Sequence, residues 1–183
     1  MLDVRMHLLM NILLVLLMPF LTSCNKETRE GKVNLQINDV VMAGNIDELK
    51  KIYNDSEHRS YRDIQGYTLL MLAADAGSTE CIQYILDAGH SPNERLDDGM
   101  SALWIGVSAG YGEVVDILIN HGADLNAKGD REAMTPLMVA VSNSDIEMII
   151  KLIGRGADKR LQDKSGNEAK SYTSDLEILK LLQ

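Results

Sequence analysis

The side chains that could bind a metal or act as nucleophiles are few and lie far apart in this sequence. None of His58, His90 and His121 has a second histidine or cysteine three or four residues away, the spacing that metal sites on helices use. His90 and His121 flank glycines at expected turns, so we expect both to be solvated turn residues. The sequence therefore predicts no metal site and no cofactor.

The remaining reactive groups also fit structural positions better than catalytic ones. Cys81 aligns with Val114 and Met148, so a small buried hydrophobic residue is the expectation and a reactive thiol is the alternative. The glycines at 89, 122 and 156 fit positions after helix ends, where a left-handed backbone favours glycine, and they form no phosphate-binding loop. We therefore expect no enzymatic activity.

Composition restricts the classes of partner. The 183 residues are sufficient for one ordinary domain, and 45% of them are apolar while 25% are charged. One Trp and one Phe leave the core to aliphatic residues and Met. The formal net charge of −9 argues against a nucleic-acid partner, which normally requires a basic face.

The N-terminus has the layout of a secretory signal. Leu8 to Phe20 is an apolar run broken only by Asn11, and Arg5 lies in the short segment before it. The run is shorter than the roughly 20 apolar residues that span a bilayer, and it shows no polar face at the helical period. A cleaved signal is the favoured interpretation, and an uncleaved anchor is the alternative.

The end of this run, Leu21-Thr22-Ser23-Cys24, resembles the lipobox of bacterial lipoproteins. The resemblance implies cleavage after Ser23 and lipidation of Cys24, and several acyl chains would then hold the protein firmly at a membrane. Asn25 is not the Asp that retains many lipoproteins at the inner membrane, so a periplasm-facing site at the outer membrane is favoured. An ordinary cleaved signal remains open as the alternative.

Three later segments repeat one another at an interval of 33 or 34 residues. The interval separates Leu70, Leu103 and Leu137, and each segment ends in a stripe at positions i, i+1, i+4 and i+5. The stripes are Cys81, Ile82, Ile85 and Leu86; Val114, Val115, Leu118 and Ile119; and Met148, Ile149, Leu152 and Ile153. A single helix–turn–helix unit cannot bury such a stripe, so we expect the units to stack.

The stretch TPLM at residues 135–138, with Ala140, resembles the ankyrin repeat, whose period is 33 and whose signature is T-P-L-H-x-A. TLLM at 68–71 and SALW at 101–104 match it more loosely. The resemblance implies an all-α ankyrin-repeat solenoid of stacked helix-turn-helix units with short hairpin loops. The signature histidine is replaced by Met71, Trp104 and Met138. We therefore expect the loop hydrogen bonds of that histidine to be absent.

These features divide the chain into three regions. Residues 1–23 are the expected signal peptide, residues 24–36 the lipidated Cys24 with a polar tether, and residues 37–183 the ankyrin-repeat domain. Within that domain the expected units are an N-terminal cap at 38–62, repeats at 63–95, 96–129 and 130–162, and a short C-terminal cap at 163–183. The polar outer faces of terminal units keep a solenoid soluble.

Ankyrin-repeat proteins generally bind other proteins through hairpin tips and the concave face of their first helices, so the resemblance implies a protein partner. Carried onto this sequence, the candidate partner-binding residues are Gln65, Tyr67, Asp75, Asp97, Asp98, Met100, Trp104, Arg131, Glu132 and Met134. Their acidic members would attract a partner with a basic patch, or they only solvate the loops. Tyr67, Met100 and Met134 share one tip register, which solubility alone does not explain.

Trp104 is the only tryptophan and is expected on the first helix of the middle repeat. It either packs under the neighbouring loop or stays partly exposed as a binding anchor, which is a frequent use of Trp at interfaces. Two functions remain open for a binding module at the envelope. One is an adaptor or scaffold for other envelope proteins, and the other is an immunity protein that neutralises a toxin delivered into the periplasm.

Overall fold

Helix pairs follow one another along the part of the chain that the computed structural model describes, residues 37–53 and 58–183. The first pair consists of helical residues 37–42 and the helix Ile46–Ile52. The three repeats contribute the pairs Leu69–Asp75 and Thr79–Asp87, Ala102–Ala109 and Gly112–Asn120, and Pro136–Ser142 and Ile146–Gly154. A 3-10 helix, Ala169–Tyr172, and the helix Leu176–Leu181 end the chain. This confirms the predicted all-α repeat solenoid.

Hydroxyl side chains determine where the first helix of each repeat begins. Thr68, Ser101 and Thr135 precede these helices, and each side-chain oxygen accepts a hydrogen bond from the backbone N–H three residues later. The donor–acceptor distances are 3.3, 3.2 and 3.3 Å. Each bond satisfies one of the backbone N–H groups that a helix N-terminus leaves without an intrahelical partner.

The core is the stack of first helices with the apolar stripes of the second helices. First helices of successive repeats pack on one another, as do the second helices of repeats one and two. The residues at the first three positions of each predicted stripe are buried, as are Leu86 and the signature leucines Leu70, Leu103 and Leu137. Ile119 and Ile153, at the fourth position, are only half-buried. Each fully buried aliphatic side chain stabilises the fold by about 1.5–3 kcal/mol.

Asparagines connect the loops that follow the second helices. The Asn93 amide donates to the carbonyl oxygen of Gly122 at 2.9 Å and accepts from the N–H of Asp124 at 2.7 Å. Asn126, 33 residues later, accepts from the N–H of Asp158 at 2.9 Å. We call these contacts the asparagine ladder. Because each bond crosses a repeat boundary, the ladder fixes the register of one repeat on the next.

The N-terminal cap is held by aromatic and polar side chains as well as by aliphatic ones. Tyr53 forms an edge-to-face pair with Tyr84, and its hydroxyl lies 2.7 Å from Nε2 of His90. His90 is 7% exposed and His58 is 3% exposed. The prediction that His90 is a solvated turn residue is therefore wrong, because the cap covers its ring. His121, by contrast, is exposed as expected.

The C-terminal unit replaces its first helix by the 3-10 helix, which packs on the first helix of repeat three. Ala169 is the buried residue of this short helix, and Lys170 beside it is exposed. Ile178 and Leu182 complete the buried side of the last helix. The shortened unit therefore covers the end of the core while it presents mainly polar residues outward.

The fold tests the prediction for Cys81 but not the predictions for the N-terminal region. Cys81 is fully buried with a free thiol, and burial raises the pKa of that thiol, which confirms its assignment as a small core residue. The expected signal peptide, Cys24 and the tether lie outside the described residues. Within the described ranges, none of the helices has the length and apolar character needed to cross a membrane.

Candidate functional site

The first hairpin tip is organised by an aspartate. Asp63 Oδ1 accepts hydrogen bonds from the N–H groups of Gln65 at 2.9 Å and Tyr67 at 2.8 Å. The Asp63 N–H donates to the carbonyl oxygen of Tyr67 at 3.0 Å and closes the turn. Ile64 and Gln65 lie at the surface of this turn, and Ile64 is 97% exposed. The first tip thus presents a fully exposed aliphatic side chain on a turn that backbone and side-chain hydrogen bonds close.

Tyr67 lies within electrostatic reach of carboxylates from two repeats. Its ring is half-buried, and burial raises the pKa of its hydroxyl, with further contributions from the charges of Asp75, Asp98 and Asp63. Asp75 ends the first helix of repeat one, whereas Asp98 belongs to the second tip. The fold therefore places the charges of Asp75 and Asp98 within reach of Tyr67, although these residues are up to 31 positions apart in sequence.

The second tip is built differently from the first. Leu96 occupies the position of Asp63, and its side chain lies against Gly66 of the first tip. Asp98 Oδ1 accepts from the N–H of Met100 at 3.1 Å, so the carboxylate has moved two residues along the loop. Asp97 and Asp98 are both exposed. Leucine in place of aspartate at this repeat position thus packs the two tips together. The carboxylates of Asp97 and Asp98 remain at the surface.

Two acidic side chains near these tips are paired with basic ones, whereas three of the predicted site residues are not. Arg62 pairs with Glu94 at 2.9 Å and Arg95 pairs with Asp124 at 3.0 Å. On the second helices, Asp116 pairs with both Lys151 and Arg155. Within residues 37–53 and 58–183, no ion pair involves Asp75, Asp97 or Asp98. Their negative charge is therefore available to a partner.

The charge is distributed unevenly along the repeats. Residues 63–129, the first two repeats, contain ten acidic and two basic residues. Residues 130–183 contain nine acidic and eight basic residues. Because exposed charges act over about 8–10 Å at physiological salt, the first two repeats carry a concentrated negative field and the later units do not.

Trp104 connects the second and third repeats. Its indole Nε1 donates to the carbonyl oxygen of Met134 at 3.1 Å, and its ring lies against Gly129. The side chain is half-buried. The geometry fits the packing interpretation, and the binding-anchor interpretation remains a prediction. At the place of the signature histidine, the indole N–H of Trp104 forms a bond to the neighbouring loop that the sequence did not predict.

The third tip is one residue longer than the others, since its closing backbone bonds join Gly129 and Met134. Arg131 and Glu132 are exposed at this tip, and Met134 is half-buried. The Glu132 carbonyl oxygen accepts from the N–H of Lys164 at 2.8 Å, which holds the third tip to the fourth. Arg131 and Glu132 thus lie apart from the acidic side chains of the first two tips in a region of mixed charge.

The predicted site residues therefore form two groups. Tyr67, Asp75 and Asp98 interact electrostatically across repeats one and two, while Trp104 and Met134 share a hydrogen bond across repeats two and three. Asp63, which shapes the first tip, was not among the predicted site residues. The recurrence of Asp-x-x-Gly at Asp63 and Asp163 could have identified this role from the sequence.

The chemistry of the described residues is that of a binding surface. Within these residues, no cluster of three His, Cys, Asp or Glu side chains is placed to hold a metal ion. The arrangement of exposed aliphatic, aromatic and unpaired acidic side chains suits contact with another macromolecule, where such apolar groups supply affinity and charge supplies orientation.

Comparison with known proteins gives a consistent match. A family model described as ankyrin repeats in three copies matches residues 37–129 and 70–163. A putative ankyrin repeat-containing protein from Treponema pallidum is 32% identical over 133 residues, which cover 72% of this chain and 44% of the relative. The B-cell lymphoma 3 protein homolog of Mus musculus is 32% identical over 125 residues, covering 66% and 28%. The chain thus spans less than half the length of each of these relatives.

Proposed function

The chain belongs to the ankyrin-repeat family, and from this premise we propose that it is a non-catalytic protein-binding module held at the bacterial cell envelope. Ankyrin repeats indicate a protein–protein interaction module, and the family is generally non-catalytic. The partner is a protein with a basic patch, and it contacts the concave face and hairpin tips of the first two repeats.

The observation that carries this proposal is the set of unpaired carboxylates beside exposed apolar side chains. Among the described residues, Asp75, Asp97 and Asp98 have no ion-pair partner, whereas the neighbouring Glu94 and Asp124 each have one. A basic protein surface would be attracted to them over several ångströms and oriented before contact. Tyr67 and Met100 then supply apolar contact area in the same place.

The location of the module is part of the same proposal. Leu21-Thr22-Ser23-Cys24 supports lipidation at Cys24, and residues 25–36 supply a tether that faces the periplasm from the outer membrane. A tether of about 12 residues extends at most roughly 40 Å, so the partner must be an envelope protein that comes near the membrane surface. Held in this way, the domain acts as an adaptor or scaffold for that protein.

A second candidate function is immunity, in which the same surface neutralises a toxin delivered into the periplasm. The observation that favours it is the concentration of ten acidic and two basic residues in residues 63–129. A toxin that attacks nucleic acid requires a basic face, and an acidic solenoid could cover that face. Protection of cells that express such a toxin in the periplasm would distinguish immunity from a scaffold role.

Charge reversal at the second tip tests the binding surface. We expect Asp97→Lys together with Asp98→Lys to reduce capture of envelope proteins by at least about tenfold, because repulsion replaces attraction toward a basic patch. Capture is measured by quantitative mass spectrometry after crosslinking the full chain in membranes. Unchanged capture, with an unchanged circular dichroism spectrum, would show that the partner binds elsewhere.

A matched control separates the site from the overall charge. Glu113→Lys with Glu147→Lys changes the net charge by the same amount, and both residues are exposed on the second helices. These changes weaken the favourable helix-dipole interaction by only about 0.3–1 kcal/mol each. Capture by this control should stay close to that of the unchanged protein. Equal losses in the two variants would mean that only the net charge matters.

A further inference from the structure

Three polar side chains meet where the second helices of repeats one and two lie side by side. His121 follows the helix Gly112–Asn120, while Gln83 and Asp87 belong to the helix Thr79–Asp87. The amide nitrogen of Gln83 lies 2.9 Å from Asp87 Oδ1 and 3.4 Å from His121 Nε2. His121 Nε2 is 4.0 Å from Asp87 Oδ1. We call these three residues the histidine junction.

The partners of the His121 ring determine which of its nitrogens carries hydrogen. Nδ1 lies 2.8 Å from the carbonyl oxygen of Ile117, and because a carbonyl oxygen only accepts, Nδ1 is the protonated nitrogen. In the neutral ring Nε2 is then an acceptor, so the two N–H groups of the Gln83 amide serve Nε2 and Asp87. The neutral ring is therefore joined to Asp87 only through Gln83.

A second proton on the ring reverses the role of Nε2. This nitrogen becomes a donor, and the ring gains a positive charge. The amide N–H of Gln83 would then face another N–H, so the amide must turn away. The carboxylate of Asp87, at 4.0 Å, is the acceptor in reach of the charged N–H. The junction thus changes from neutral hydrogen bonds to an ion pair between repeats one and two.

The next repeat junction has a permanent cation at the same place. Arg155 lies 34 residues after His121, and each of the two follows the end of a second helix. The Arg155 guanidinium donates to Asn120 at 2.8 Å and to Asp116 at 3.3 Å. These two residues lie 33 positions after the aspartate and the glutamine of the histidine junction. Both junctions therefore present one carboxylate and one amide to the side chain that follows the next helix.

We infer that the histidine junction is a pH-sensitive form of the clamp at Arg155, in which protonation of His121 pairs it with Asp87 and tightens the contact between repeats one and two. Histidine is the side chain whose charge ordinarily changes between about pH 8 and pH 5. The helix C-terminus beside His121 also favours a positive charge. The ion pair therefore stabilises the fold at pH 5 and is lost as the pH rises to 8. This device belongs to the fold and does not depend on the proposed partner.

Among the described residues, the other charged and titratable groups near the junction have partners of their own. These are Glu80 with Thr79, Asp116 with Lys151 and Arg155, Asp124 with Arg95, and His90 with Tyr53. Glu113 and Glu147 lie in the first turns of their helices, about two turns away along the axis from the level of His121. Asp87 is thus the carboxylate placed to pair with a protonated His121.

A double-mutant cycle measures this pairing. Urea unfolding of the full chain in detergent is followed by circular dichroism for the unchanged protein, His121→Gln, Asp87→Asn and the double variant. At pH 5.5 we expect a coupling of about twofold to fivefold in the unfolding equilibrium constant, as for other exposed ion pairs. At pH 8 the coupling should disappear, because the ring is neutral. Equal coupling at the two pH values would overturn the inference.

The clamp at Arg155 supplies the matched control. Arg155→Gln removes a cation that stays charged throughout this range, so its cost in stability should be the same at pH 5.5 and pH 8. The cost of His121→Gln should be greater at pH 5.5, and His121→Arg should keep the coupling to Asp87 at both pH values. Parallel pH profiles for His121→Gln and Arg155→Gln would contradict a role for the proton.

The proton positions can be tested without unfolding the protein. Nitrogen-15 NMR of the ring, assigned by comparison with His121→Gln, should show hydrogen on Nδ1 alone at pH 8 and on both nitrogens at pH 5.5. A neutral ring with its hydrogen on Nε2 would reject the arrangement. Rejection would leave the protein-binding proposal standing, because that proposal depends on Asp97 and Asp98.

Discussion

Each hairpin tip has one residue with a left-handed backbone. This residue is glycine in the first, second and fourth tips and alanine in the third. The φ angle is +90° at Gly66, +90° at Gly99, +84° at Gly166 and +58° at Ala133. A residue with a Cβ atom costs roughly 1–2 kcal/mol in this conformation, whereas glycine adopts it readily. Ala133 therefore lowers the stability of the fold locally, and the extra residue of the third tip does not relieve this strain.

We expect Ala133→Gly to raise the free energy of unfolding by about 1 kcal/mol, because it removes this strain. Urea denaturation followed by circular dichroism measures the change. The opposite substitution, Gly99→Ala, should destabilise the protein, since the added Cβ would lie 2.5 Å from the carbonyl oxygen of Lys128. A lower denaturation midpoint for Ala133→Gly would contradict this account.

Asp163 gives the C-terminal cap a dependence on pH. Hydrogen bonds from the Tyr172 hydroxyl and from Asn167 and Ser165 lower the pKa of Asp163 from 3.8 to about 2. Because the folded state favours the ionised carboxylate, Asp163 stabilises the fold above about pH 4. That contribution is lost as the pH falls from about 4 to about 2.

Asp163→Asn should therefore lower the denaturation midpoint at pH 7, and its difference from the unchanged protein should shrink between pH 4 and pH 2. Urea midpoints measured at several pH values for both proteins test this expectation. Tyr172→Phe removes the largest cause of the lowered pKa, so it should reduce the same pH dependence. A difference that stays constant from pH 7 to pH 2 would show that the charge of Asp163 is unimportant.

Among the secondary-structure elements, the junction between the first helix of repeat two and the third tip depends on one side chain. Trp104→Phe keeps most of the apolar volume but leaves the Met134 carbonyl oxygen without its indole donor. The same oxygen still accepts from the N–H of Gly129 at 2.9 Å, so we expect a loss of about 0.5–1.5 kcal/mol in the free energy of unfolding, the usual net contribution of one hydrogen bond. Urea denaturation measures it.

The same variant also addresses binding. If Trp104 only joins two repeats, capture of envelope proteins at equal folded fraction should be unchanged in Trp104→Phe. Capture that falls while the folded fraction is held equal would instead support the binding-anchor interpretation. Unchanged stability would contradict a structural role for the hydrogen bond to Met134.

The helices and their stacking could be predicted from the sequence because they follow from a period of 33 residues and a one-sided apolar stripe. Cys81 is an example, since its alignment with Val114 was enough to predict burial. The sequence did not predict the burial of His90, because its ring is covered by the cap residue Tyr53, 37 positions earlier. Local sequence carries no signal for a contact of that kind.

The candidate site was predictable only in part. Tip positions could be assigned from the register, but the placement of the Asp75 and Asp98 charges within reach of Tyr67 depends on how two repeats stack. The bond from Trp104 to Met134 was missed for a different reason. The prediction considered only histidine at the signature position. The hydrogen bond to the neighbouring loop requires only a side-chain N–H donor at that position of the helix, and the indole of Trp104 supplies one.

For the whole molecule, the proposed attachment to the envelope would determine where the binding surface works. We expect Cys24→Ala to abolish labelling by a palmitate analogue and to move the protein from the membrane to the soluble fraction, because acyl chains on Cys24 would supply the membrane affinity. Metabolic labelling and fractionation measure both effects. A Cys81→Ala variant is the matched control and should keep both label and location.

A Cys24→Ala protein that remains in the membrane fraction after removal of residues 1–23 would reject the lipid anchor. Retention of the uncleaved N-terminus would support the alternative of an uncleaved anchor. Mass spectrometry of the N-terminal peptide distinguishes these cases.

The asparagine ladder has a consequence for how such a chain can grow by duplication of its units. Asn93 and Asn126 each bond to the following loop, but the next position in the register is Arg160. A copy of residues 96–129 inserted after itself would carry another asparagine and continue the ladder. A copy of residues 130–162 would place arginine at the new junction and interrupt it. Lengthening through the middle unit is therefore the route that preserves these contacts.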